Sequence, residues 1–127
     1  MTIEQNFYQA LKKYMQAYRR IEKKKKRQIE VLNEIGANKG AERLKKTVHT
    51  NFDDALREIQ RKNGASIRHY TSKIQDETSR SQVRYLVNMV IRHPEKYSTE
   101  KEFTGLCDEI GKIFSSEELT NSVNKPP

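Results

Sequence analysis

The sequence predicts an all-α protein: a long antiparallel helical hairpin, coiled-coil-like in its spacing, followed by a C-terminal cluster of three shorter helices. Three observations predict it. Apolar residues recur at intervals of four and three, at Phe7, Leu11, Tyr14, Tyr18 and Ile21 and again at Leu32 and Ile35, which is the period of a helical seam. The stretch Gly36-Ala37-Asn38-Lys39-Gly40 then interrupts the pattern, and a second helical pattern follows it. Composition agrees: 33% charged and 34% hydrophobic residues, with 5 Gly, 3 Pro and no Trp in 127 residues, suit a helical chain better than a β-sandwich or a disulfide scaffold.

Helix 1 is expected from about Ile3 to Ile35. It opens on Thr2 with Gln5 three residues later, a capping-box pattern, and at 1.5 Å per residue it would span roughly 50 Å. Helix 2 is expected from Ala41, with Leu44, Val48, Phe52, Ala55, Leu56 and Ile59 on its apolar side and an end at Asn63-Gly64, residues that tolerate the left-handed conformation of a helix C-terminus. A short link makes such helices antiparallel neighbours. Pairing outward from the turn sets Leu32 near Leu44 and Tyr18 near Ile59, and leaves the first dozen residues of helix 1 in need of another partner.

The second half supplies it. Ile67, Tyr70 and Ile74 mark a short helix, and Val83, Leu86, Val87, Val90 and Ile91 mark another. The two sets lie on opposite sides of one helical wheel, so a break is expected near Thr78-Ser79. His93-Pro94 ends the second of these helices, because proline disfavours α geometry in the residue before it. Thr99 with Glu102 is another capping box, opening a helix with the stripe Phe103, Leu106, Cys107, Ile110, Ile113 and Phe114. One domain is expected over residues 1–118, comprising the hairpin (1–64) and the short-helix cluster (65–118), with 119–127 as a flexible tail.

Charge is uneven. Net charge is +8. Residues 1–62 hold 16 Lys or Arg against 8 Asp or Glu, whereas residues 63–127 hold 9 of each. Such asymmetry points to an acidic partner for the first half. Its centre is Arg19 to Arg27, where seven of nine residues are basic. With Phe7, Tyr14, Ile21, Gln28 and Ile35 at heptad position d, and Leu11, Tyr18, Lys25 and Leu32 at a, the seam fails in the one heptad that holds Lys25 and Gln28. The outward positions are cationic: Lys12, Arg19 and Lys26 at b, Lys13, Arg20 and Arg27 at c, and Lys23 at f. These seven share one face over about 22 Å of helix, and Glu22 is the acid placed to pair with Lys26 four residues on. They are the candidate nucleic-acid-binding residues, because aligned cations displace the counterions of a phosphate backbone. The competing explanation is a solvated helix face that happens to be basic. Lysine predominates, which suits phosphate contact rather than base reading. Lys25, opposite Phe52, is expected to rest its stem on the hairpin with its ammonium near Asp53 and Asp54, or else to form a polar layer that fixes register. Tyr14 and Tyr18 interleave with the basics but lie on the seam, so they are assigned to the core.

Catalytic and metal chemistry finds no motif. His49, His69 and His93 stand apart and none has ligand spacing to Cys107. Cys107, inside an apolar stripe, reads as an inert thiol, and as the one cysteine it cannot form an internal disulfide. No phosphate loop, nucleophile elbow or zinc pattern occurs. No enzyme activity and no cofactor are expected. Residues 83–91 and 99–114 resemble a helix-turn-helix only loosely, since the link is long and the second helix is acidic. No signal-like start and no apolar run of about 18 residues occur, so a soluble, cytoplasmic protein without a membrane span is expected. A KKKKR run can also serve as a nuclear import signal. The function expected is a nucleic-acid-binding accessory protein that contacts the DNA or RNA backbone without specificity. The alternative is an adaptor or inhibitor docking an acidic protein. A homodimer through the broad seam is compatible with both, and a membrane-surface helix fits less well because the apolar face is needed for a core.

Overall fold

The computed structural model describes residues 2–36 and 38–124, and the side chains of these as far as Ser115. The chain forms α1 (Ile3–Ile35), α2 (Lys39–Thr71), α3 (Glu77–Arg92), a 3-10 turn (Pro94–Tyr97) and α4 (Glu100–Asn124), with no strand among the described residues. α1 and α2 pack along one another as the expected hairpin, and the shorter C-terminal elements follow.

Local chemistry sets the helix ends. Gln5 N donates to the Thr2 hydroxyl at 3.1 Å while Thr2 N donates to Gln5 Oε1 at 2.9 Å, so the capping box of α1 is formed. Gly36 ends the helix with φ of 98°, a region that penalises any side chain. Asn38 caps α2, its Oδ1 accepting from Ala41 N at 2.8 Å. Thr99 accepts from Glu102 N at 3.2 Å at the start of α4. His93-Pro94 closes α3 as expected.

Three boundaries differ from the sequence expectation. α2 does not stop at Asn63-Gly64 but continues to Thr71, so the separate short helix around Ile67 and Tyr70 does not exist. Asn63 turns its amide onto its own helix, Nδ2 donating to the Ile59 carbonyl at 3.2 Å. Gly64 keeps right-handed backbone and lies buried against α3. The break that reverses the apolar face is at 72–76 rather than Thr78-Ser79. There Asp76 caps α3, its carboxylate accepting from Ser79 N at 2.8 Å, and this bond holds the Asp76 carboxyl below its usual range. α4 continues past Phe114, the last residue of its apolar stripe, and past 118, the expected end of the domain, to Asn124. That takes in much of the expected tail, whose last three residues lie outside the described ones.

A methyl group built on Gly64 would lie 3.5 Å from Ile91 Cδ1 and from the Arg68 guanidinium, which is ordinary van der Waals contact. Gly64→Ala is therefore expected to raise stability by about 0.5–1 kcal/mol through helix propensity. Chemical denaturation followed by far-UV circular dichroism checks the sign.

The core lies at one end of the hairpin. Phe7, Leu11, Tyr14, Met15 and Tyr18 of α1 meet Ile67 of α2, Val83, Val87, Val90 and Ile91 of α3, and Leu106, Ile110 and Phe114 of α4 in one cluster. Phe7 packs edge-on against both Tyr8 and Phe114 at 5.6 Å between ring centroids. The Tyr8 hydroxyl donates to the Cys107 carbonyl at 3.3 Å. The overhanging start of helix 1 thus finds its partners in α3 and α4. Beyond this core, α1 has no buried residue between Tyr18 and Leu32, and α2 has none between Ala41 and Gly64. The distal hairpin is a two-helix arm, roughly 25 Å long at 1.5 Å per residue from Arg19 to Ile35.

Candidate nucleic-acid interface

Because α1 turns its a, d and e positions toward α2 and the core, its b, c and f positions face away. Lys12, Lys13, Arg19, Arg20, Lys23, Lys26 and Arg27 are all exposed. Six of them make no ion pair or hydrogen bond with any described residue. Arg19 is the exception. Its Nε donates to the Ser98 carbonyl at 3.0 Å, and its guanidinium carbon lies 5.9 Å from the centre of the Phe103 ring. Arg19 therefore fastens α1 to the segment that enters α4, and that segment carries Glu100 and Glu102. The unencumbered cations toward the arm are Arg20, Lys23, Lys26 and Arg27.

Glu22 does not neutralise Lys26. It accepts instead from the Tyr18 hydroxyl, one turn back, at 2.6 Å. Tyr18 is buried, so its phenol gains a partner that water does not supply. Burial first, and then the Glu22 carboxylate beside it, push the Tyr18 phenol well above its usual value. The one acid in the basic run is thus turned inward.

Lys25 also departs from expectation. Its ammonium sits 4.3 Å from the centre of the Phe52 ring rather than on Asp53 or Asp54, and Asp54 pairs with Arg57 at 3.6 Å. Phe52 in turn packs edge-on against Tyr18 at 6.3 Å. A cation over an aromatic face is worth about 0.5–1 kcal/mol where water still reaches it. This contact closes the heptad that the apolar seam leaves open, and it keeps Lys25 out of the outer face. Tyr14 and Tyr18 are in the core, as assigned.

Some cations escaped the sequence reading. Lys24 is exposed at position g, because the arm has no third helix to cover that side. On α2, Lys39, Arg43 and Lys46 are exposed as well, and their intervals of four and three put them on one face. That spacing was the signal that could have found them. Among the described residues, no group of three His, Cys, Asp or Glu could hold a metal ion, and no helix is long and apolar enough to cross a membrane. Cys107 is half-buried, and burial pushes its thiol up, away from the reactive thiolate form.

Fold and face together define a helical protein with a basic two-helix arm projecting from a small four-helix core. Compared with protein-family models, curated proteins and solved structures, the chain matches none.

Proposed function

We propose that the protein is a small nucleic-acid-binding accessory, holding the phosphate backbone along the outer face of α1 with little reading of sequence. The observation that carries this reading is the set of exposed cations Arg20, Lys23, Lys26 and Arg27, which pair with no described residue and lie on a segment that contributes no buried residue to the core. Like charges so aligned repel one another and add nothing to the helix. Glu22 bonds to Tyr18 rather than ion-pairing with a cation of the run.

If four of these cations meet phosphates, the logarithm of the binding constant for duplex DNA is expected to fall against the logarithm of salt concentration with a slope of about −3.6. Affinity is expected to be sequence-tolerant, with a dissociation constant on the order of 10⁻⁴ to 10⁻⁶ M at physiological salt. The triple substitution Arg20→Gln, Lys23→Gln and Arg27→Gln is expected to flatten the slope by about 2.7 and to leave helicity intact. Fluorescence anisotropy of a labelled oligonucleotide across a salt series makes the measurement. A wild type that shows no salt-dependent binding to DNA or RNA at low ionic strength defeats the proposal, and the same face then falls to an acidic protein.

A further inference from the structure

The side of the arm next to the basic face holds a different kind of surface. Two adjoining depressions run between α1 and α2, sharing Gln28, Val48 and Asn51. Together they form a groove from Ile21 to Leu32 on α1, about 16 Å at 1.5 Å per residue, and from Ala55 back to Leu44 on α2. Its lining is apolar at Ile21, Val31, Leu32, Leu44 and Val48, cationic at Lys24, Lys25 and Arg27, and holds no carboxylate. Val31 is 56% exposed and Leu44 is 54% exposed, with Ile35 just beyond them at 60%. Those three are most of the exposed large hydrophobics among the described residues. Apolar side chains gathered at one end of an arm, rimmed by one sign of charge, mark an interaction surface rather than scattered surface residues.

We infer that this groove docks an acidic amphipathic helix from another protein. A third helix laid between α1 and α2 would cover Val31 and Leu44 with its own apolar ridge, the helix-in-groove mode of recognition. Its acidic flanks would meet Lys24 and Arg27, and the groove offers them no acid to repel. A second copy of this chain brings a like-charged arm to the same rim, which opposes self-association there. A phosphate backbone has no apolar ridge to fill the groove. The inference and the phosphate-binding reading share Arg27 alone: Lys23 and Lys26 of the outer face do not line the groove, and the apolar residues Val31 and Leu44 that the inference rests on are not on the outer face.

The test uses the full chain and two designed helical peptides with the same leucine ridge, one flanked by glutamates and its twin by lysines. Anisotropy titration is expected to show the glutamate peptide binding at least about tenfold more tightly than its twin. Val31→Gln with Leu44→Gln is expected to abolish that binding without altering the salt slope for duplex DNA. Lys23→Gln with Lys26→Gln is expected to leave peptide affinity within about threefold, since neither residue lines the groove. Equal binding of both peptides, or of neither, overturns the inference. So does a wild-type dimer in sedimentation that Val31→Gln with Leu44→Gln dissociates, because the occupant is then a second copy.

Discussion

Tyr14→Ala is expected to lower the unfolding free energy by about 3–5 kcal/mol, the range for removing a large aromatic from a core. Tyr14 is fully buried, at 0% exposure, on the face of α1 where three other helices meet it. Its hydroxyl donates to the Ile91 carbonyl at 2.7 Å. That carbonyl is one of the last in α3, which the helix itself leaves unpaired. Gln60 Nε2 of α2 donates to the same oxygen at 2.8 Å, so the alanine variant leaves the carbonyl with one donor. The loss is therefore mainly the cavity and the transferred ring. Tyr14→Phe keeps the ring and removes one of two donors, at a cost of about 0.5–1.5 kcal/mol. Urea denaturation followed by circular dichroism separates the two variants. A Tyr14→Ala cost near that of Tyr14→Phe would show that the core collapses around the missing ring.

Alkaline pH is expected to unfold the protein between about pH 10 and 12. Burial pushes the Tyr14 phenol up to about 12, against a smaller opposing pull from the Gln60 amide. Burial, and then Glu4, push Tyr8 up to about 12. Tyr18 is raised further still. All three are raised in the folded state, so their contribution is complete below the unfolded phenol value near 10. It is lost as pH climbs toward the folded values. The two buried phenols, Tyr14 and Tyr18, each lower stability by about 1.4 kcal/mol per pH unit in that window, or about 3 kcal/mol per unit for the pair, and the half-buried Tyr8 adds less because water screens it. By pH 11 the loss from that pair is about 3 kcal/mol, a large part of the stability of a typical domain of 5–15 kcal/mol. The phenolate absorbance that these three of the six tyrosines contribute should therefore rise in the same step in which far-UV ellipticity is lost. Ionisation of all six tyrosines below pH 11 with the helices intact would contradict this assignment.

Helix 1 was legible to the residue, because each of its signals is local: the Thr2 and Gln5 box, the 7-11-14-18 seam and Gly36. The far end of α2 was not. Asn63-Gly64 has the chemistry of a helix terminus, and what overrides it is Ile91 of α3, nearly thirty residues away, lying against the glycine. The residues of the missing short helix still read correctly as core, since Ile67 and Ile74 are buried. At the candidate site, outward periodicity identified the exposed cations correctly. It could not foresee that Arg19 meets Ser98, a contact across 79 positions. Glu22 and Lys25 were misread for one shared reason. Opposite charges, one turn on for Glu22 and across the hairpin for Lys25, suggested ion pairs, but the buried phenol of Tyr18 and the ring of Phe52 are the partners they take.

The arm without buried residues between Tyr18 and Leu32 has a consequence for how the chain can vary. Substitutions at Arg20, Lys23, Lys26 or Arg27 touch neither the aromatic cluster around Phe7 nor the Ile91 junction, so their effects on stability are small and separate from those of core changes. On the proposed reading, affinity for an anionic ligand can therefore drift up or down by single steps while the fold stays above its threshold. The core is thus the part in which a change costs stability, and the arm the part whose charge can be retuned without rebuilding the protein that carries it.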